Sequence, residues 1–352
     1  MKANMKLFHR FWPYLCLFVL VFILFLTNFE PETFLTGWDN LHTEFAPLLN
    51  LERAWQAVWQ EYQGLGLLAG MAHGAEFMRQ LIFLPLMLLL PSQLFRYAFH
   101  FLALLFGVWG MFAFLLYILR RQKTLIPKPN LLSFLGASFY LLNLGTLQNF
   151  YLPYESFSMF YAVLPWLILF ALKIIHGQRK KDVLIFALIS LIASAAFYVQ
   201  TIFVVYFAIL LIILLIFLLT NRQKNKWQKT GLILGLTILI NAFWLLPNLY
   251  FVLTNHQVVV DAKNNQMATE QITLRNDKFG IPTSILRLQG YWFDYTDFNQ
   301  SGSTVYLLDS WKTHLDQPVI NVLSYLPALF VLGALFLLFI YQPKKNLFRE
   351  EK

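Results

Sequence analysis

Apolar residues gather in eight long runs, at about 11–29, 95–119, 131–148, 157–176, 183–199, 202–220, 231–252 and 319–341. Each is near the ~20 residues that an α-helix needs to cross the hydrocarbon core of a bilayer. The pattern predicts an all-α integral membrane protein with about eight transmembrane helices. One further run, Leu81–Leu90, contains Pro85 and stops at Pro91. It is too short to cross, and it predicts a re-entrant or interfacial helix that leads into the second span. Spans five and six are joined only through Tyr198–Thr201, which predicts a tight turn. The first run has no small-residue cleavage site and continues into Phe29-Glu30-Pro31, so it reads as an uncleaved anchor.

The polar intervals are uneven. Glu30–Met78 is long and mixed. Within it Leu48, Leu51, Trp55, Val58, Trp59 and Tyr62 recur at helical spacing, opposite Glu52, Arg53, Gln56, Gln60 and Gln63. That stripe predicts a surface-lying helix over 48–63, ended by Gly64 and Gly66. Thr254–Pro318 is a second polar interval with no run long enough to cross. The chain therefore divides into a basic N-terminus and first span (1–29), a loop with interfacial helices (30–94), a six-span membrane core (95–252), a second loop (253–318), and a last span with a basic tail (319–352).

Composition sharpens this picture. The chain has 352 residues, of which 58% are hydrophobic, 18% aromatic and only 13% charged, outside the soluble globular range. A single cysteine, Cys16, excludes an internal disulfide and sits in the first span. The net charge of +9 is a topology signal. With the N-terminus inside, 19 of the 27 Lys and Arg fall in inner segments and 15 of the 18 acids fall outside. Every short inner loop then obeys the positive-inside rule, and both termini lie inside. Nucleic acid is not the partner that this charge predicts. No Walker loop, GxSxG, HExxH, CxxC or dinucleotide fingerprint occurs.

Candidate chemistry concentrates in Gly37-Trp38-Asp39-Asn40-Leu41-His42-Thr43-Glu44, just beyond the first span. Asp39 beside the Trp38 ring would be partly desolvated, which raises a carboxylate toward useful basicity. Glu44 could assist, orient an acceptor or hold a divalent cation. Alternatively Asp39 caps a helix and Glu44 is solvated. His73 and Glu76 stand at i,i+3 and could meet a phosphate or a sugar hydroxyl, or form a surface pair; His42 with Glu44 and His73 makes no specific metal motif. Tyr154-Glu155 places the only acid in the turn between spans three and four, and a carboxylate at membrane depth is a functional candidate. Pro247 breaks span seven near its end, and Asn241 in that span must find a partner within the bundle. In the second loop, Arg275 and Arg287 are suited to a lipid phosphate, with Tyr291 and Trp292 placed to cover a sugar; ordinary loop electrostatics is the alternative.

In Gly37-Trp38-Asp39-Asn40, Trp59-Gln60-Glu61-Tyr62-Gln63-Gly64-Leu65-Gly66, Asn241-Ala242-Phe243-Trp244-Leu245-Leu246-Pro247 and Leu286-Arg287-Leu288-Gln289-Gly290-Tyr291-Trp292, the chain resembles the GT-C class of integral-membrane glycosyltransferases. The closest resemblance is to the N-terminal membrane part of alpha-(1→3)-arabinofuranosyltransferase-like proteins. It covers most of the chain by architecture and these short patches by residue. It implies a sugar donor of pentofuranose class on a polyprenyl phosphate, an acceptor glycan outside the cytoplasmic membrane, and Asp39 in the position of the family's catalytic carboxylate. Members of that family continue into more spans and large outer carbohydrate-binding domains, so a partner chain supplying such domains is also expected. The rival expectations are a lipid or polysaccharide transporter and a non-catalytic subunit of envelope assembly. A transporter would want ionisable residues deep in several spans.

Overall fold

A computed structural model of the protein describes residues 2–35, 42–56, 59–60, 67–68, 73–121, 128–177, 179–220, 223–257, 261, 274, 281–299 and 301–341. Among them, five helices are long and apolar enough to cross a membrane. They are α1 (Lys2–Asn28, through its Phe11–Asn28 portion), α4 (Ser92–Arg121), α7 (Glu155–Gly177), α9 (Gln200–Thr220) and α10 (Lys226–Thr254). Two bent pairs, α5 (Pro129–Leu142) with α6 (Leu144–Tyr151) and Asp309–Leu315 with Pro318–Ala334, can bring the count to seven. The chain is an all-α, multi-pass membrane protein.

The eight predicted spans are therefore not all found as such. The fifth is the main difference. In its place α8 (Lys180–Ala193) has 14 residues and closes in the tight turn Ser194–Ala196. At about 1.5 Å per residue it is too short to cross alone. Ser194 helps to end it, its hydroxyl donating to the Leu191 carbonyl at 2.6 Å. The next helix starts at Gln200, so a tight connection does fall where the sequence predicted one.

The segment between α1 and α4 also departs from expectation. The surface helix is α2 (Pro47–Trp55), nine residues rather than sixteen. Pro47 occupies its first turn, where a missing N–H is tolerated. Beyond it Trp59–Gln60 pairs antiparallel with Leu67–Leu68. An aromatic such as Trp59 suits a strand as well as a helix stripe. The Leu81–Leu90 run is the apolar half of α3 (His73–Leu89), which continues through Pro85. Within the run Phe83 is buried while Leu88 and Leu89 are exposed, and α3 is not among the five helices long and apolar enough to cross.

The chain forms two compact units. The first comprises Met1–Leu141 with Leu152–Val258, and the second Leu142–Tyr151 with Val259–Lys352. Residues 142–151 thus leave the predicted six-span core and group with the C-terminal part.

In the first unit, α4 and α7 are the central pair. Small residues let them approach: a Cβ at Gly107 would meet the Tyr161 ring at 2.6 Å, and one at Gly110 would meet the Trp166 indole at 2.5 Å. Trp166 Nε1 donates to the Phe106 carbonyl at 2.9 Å across the same contact. Phe83, Phe95, Val163, Leu167, Phe186, Phe197 and Tyr206 extend the core to α3, α8 and α9. In α10, Asn241 is fully buried and paired: it donates to the Thr237 carbonyl at 2.8 Å and accepts from Trp244 Nε1 at 2.8 Å. Pro247 was expected to break α10, yet the helix runs on to Thr254. Proline has no N–H for the Phe243 carbonyl. At that point Gly74 of α3 lies so close that an added Cβ would stand 3.0 Å from Trp244 Cα.

The second unit is built on Phe293, Leu308 and Leu315, with Leu144, Trp292 and Ile320 against them. Thr296–Phe298 and Thr304–Tyr306 form a hairpin closed through Gly302, whose φ of 78° favours glycine. The Gln148 amide donates to the Leu288 carbonyl at 2.9 Å and accepts the Gly290 N–H at 2.8 Å.

Candidate functional site

Both α4 and α7 begin at the same end of the first unit, and a charged cluster is buried there. The tight turn Thr43–Phe45 presents Glu44, α4 presents Arg96 in its second turn, and α7 opens with Glu155. A carboxylate at a helix N-terminus is favoured by the helix dipole. Arg96 sends Nε to Glu44 Oε1 at 2.9 Å and Nη2 to Glu44 Oε2 at 3.2 Å. Its Nη1 donates to Glu155 Oε1. The three side chains are 1% (Glu44), 2% (Arg96) and 3% (Glu155) exposed. One planar guanidinium thus joins a loop carboxylate to a helix carboxylate, a geometry that lysine could not supply.

Helix α3 adds a second arm. Arg79 Nη1 lies 3.6 Å from Glu155 Oε2, and Arg79 Nε donates to Glu76 Oε1 at 3.0 Å. The Arg79 guanidinium also stands 5.2 Å from the centre of the Tyr198 ring. Gln80 Nε2 donates to Glu76 Oε1 at 2.6 Å. Glu76 Oε2 and Gln80 Oε1 are buried without a hydrogen-bond partner and retain the capacity to accept from a hydroxyl. One turn deeper on α4, His100 Nδ1 shares a 2.7 Å hydrogen bond with Ser158 Oγ of α7.

The cluster holds three carboxylates and two guanidiniums, with the imidazole of His42 at its edge, 2.9 Å from Glu44 Oε1. Burial would raise the Glu44 carboxyl. Hydrogen bonds from Arg96, its own backbone N–H and His42, together with the Arg96 charge, outweigh that and hold it below the usual carboxylate value. Glu44 is therefore an ionised anchor committed to Arg96 and His42. It is poorly suited to act as a base or as a free cation ligand. Among the described residues no group of three or more His, Cys, Asp or Glu side chains is placed to hold a metal ion.

The other candidates fall in several places. Trp38, Asp39 and Arg275 lie outside the described residues, as do the side chains of His73, which opens α3, and Tyr291. Glu76 is engaged by Arg79 and Gln80 as part of the cluster. The Tyr154 ring is tilted against that of Phe157, with ring centres 6.1 Å apart, next to Glu155. In the second unit, Arg287 donates through Nε to Ser324 Oγ at 2.9 Å and stands over the Tyr325 ring, and Trp292 lies against Tyr295 at 5.8 Å. Sequence reasoning missed Arg96, Arg79, Gln80, His100 and Ser158. A signal existed for two of them: Arg96 and His100 are ionisable residues at i,i+4 in the opening turns of an apolar helix.

Comparison of the chain with protein-family models, with curated proteins and with solved structures finds no match. The functional reading therefore rests on the site itself.

Proposed function

We propose that the protein is a membrane glycosyltransferase that moves a sugar from a polyprenyl-phosphate donor to an acceptor glycan at the outer face of the cytoplasmic membrane. The observation that carries this reading is the Arg96 bridge from Glu44 to Glu155. It ties the segment that follows Asp39 to the mouth of two membrane helices. Asp39 precedes His42 by three residues, so chain length alone keeps it within about 11 Å of the anchored segment. A base in that position can meet a lipid-borne donor and a water-borne acceptor. Asp39 takes the proton from an acceptor hydroxyl as that oxygen bonds to the anomeric carbon. The carbon–oxygen bond to phosphate breaks, and polyprenyl phosphate leaves with inversion. Glu44 and Glu155 are positioning residues in this scheme. A pentofuranose is the sugar class that fits the resemblance.

A transport path gains no comparable support. Among the described residues, the buried ionisable groups of the spanning helices lie in their opening turns, Arg96 and His100 in α4, Glu155 in α7 and Lys229 in α10, and the buried mid-helix amide of Asn241 is neutral and paired. The deciding experiment incubates the protein with a polyprenyl-phosphate sugar and an acceptor glycan and measures prenyl-phosphate release. Asp39→Asn is expected to retain expression and donor binding and to lose transfer. Transfer at the wild-type rate in that variant would remove Asp39 from the mechanism.

A further inference from the structure

The opposite ends of α4 and α7 frame a different feature. Counted from Glu155, His176 lies about 31 Å along α7, and there a cleft of about 290 Å³ opens, lined by Tyr117, Arg121, Lys173, His176, Arg179 and Asp182. That volume is just below the range of drug-sized ligand sites, about 300–1,000 Å³, and suits a small headgroup. Three cations line it against one carboxylate. Among the described residues none of the three has a carboxylate within 4.0 Å, the ion-pair limit.

Two ordinary duties for such cations are already filled. The α7 terminus is served by Lys229, whose Nζ donates to the Ile175 carbonyl at 2.7 Å and to Gln223 Oε1 at 3.0 Å. Arg120, beside Arg121, donates to Asn130 Oδ1 at 3.0 Å. Arg121 and Lys173 instead flank the Tyr117 ring, each 5.9 Å from its centre, and Tyr117 Oη shares a 3.0 Å hydrogen bond with His176 Nδ1. Helix α8 begins at the cleft, with Arg179 in its N-cap position, so its first N–H groups add a positive end.

We propose that this cleft binds a phosphate ester whose alcohol portion carries a hydroxyl. Arg121, Lys173 and Arg179 meet the phosphate oxygens, and Asp182 accepts from the hydroxyl. The site stands at the ends of two spans, so its phosphate can come from a lipid headgroup or from a soluble ester. The proposal does not rest on the transferase reading, because no residue is shared with the Glu44–Arg96–Glu155 cluster.

The test uses the full chain in detergent, exchanged against equal phosphatidylglycerol and diacylglycerol, with retained lipid read by native mass spectrometry. Phosphatidylglycerol is expected to be retained over diacylglycerol. Arg121→Gln with Arg179→Gln removes charge-assisted bonds, and about a tenfold loss of retention is expected. Lys173→Gln, which keeps both arginines, guards against a folding defect and should lose less retention at an unchanged melting temperature. Lys224→Gln, a cation outside the cleft, should retain lipid as the wild type does. Displacement by millimolar glycerol 3-phosphate assigns the site to a soluble ester, and resistance to it assigns a lipid. Equal retention by the wild type and both cleft variants, or an equal loss in Lys224→Gln, overturns the proposal.

Discussion

Arg96 grips Glu44 with two parallel hydrogen bonds, Nε to Oε1 at 2.9 Å and Nη2 to Oε2 at 3.2 Å, although 52 residues separate them in the chain. The same guanidinium reaches Glu155 with its third nitrogen. The loop before α2 and the start of α7 are thus fixed through one side chain.

Removing that side chain should be severe. Arg96→Gln leaves buried Glu44 without its guanidinium and Glu155 with Arg79 at 3.6 Å, a loss of about 3–5 kcal/mol by analogy with broken buried pairs. Arg96→Lys keeps the charge but cannot make two parallel bonds and reach a third oxygen. Thermal melting in detergent should rank wild type above Lys above Gln. A Gln variant that melts with the wild type would show that the bridge contributes nothing to stability.

The bridge should also be visible in the pH dependence. Glu44 is held below its ordinary pKa of 4.5 in the folded protein. A depressed carboxyl contributes stability that is present above the unfolded pKa and lost as pH falls through the folded pKa. The melting temperature should therefore fall below about pH 4.5 more steeply in the wild type than in Glu44→Gln. Parallel profiles for the two proteins would contradict the anchoring of Glu44.

Gly107 and Gly110 are expected to resist any side chain. An alanine at either would press on the Tyr161 or Trp166 ring at 2.6 or 2.5 Å, and overpacking of this kind costs about 1–3 kcal/mol. Gly235 in α10 has open space around its Cβ direction, and there alanine should be neutral or stabilising by up to about 1 kcal/mol. Melting curves of the three alanine variants make the comparison.

Asn241→Leu should destabilise α10 although it adds apolar volume. Trp244 Nε1 would lose its acceptor while remaining buried, at about 1–3 kcal/mol. Trp244→Phe made in the Asn241→Leu background should recover part of the loss, because it removes the orphaned donor. A double variant no more stable than the single one would place the cost elsewhere.

The helices were legible because membrane helices need long apolar runs, and the runs at 95–119, 157–176, 202–220 and 231–252 are found as α4, α7, α9 and α10. Asn241 was legible for the same reason in reverse, since a polar amide in such a run needs a partner. The end of α2 was not, because a periodic stripe continues through Trp59 whether or not the backbone stays helical. The cluster was half legible. Glu44 and Glu155 stood out as acids near span ends, but nothing local in the chain announces that an arginine from α4 joins them. Arg96 looked like one more residue at the edge of a hydrophobic run, and Arg79 and Gln80 like the polar prelude to another.

The Gly107–Tyr161 and Gly110–Trp166 contacts have a mechanical meaning. Rings seated over glycines, with Trp166 bonded to the Phe106 carbonyl, key α4 and α7 into a single register. One helix cannot ratchet past the other by a turn without lifting both rings from their seats. The pair behaves as a strut, stiff along its length, carrying one polar assembly at each tip. Any rearrangement of this unit is therefore expected in the segments that rest on the strut.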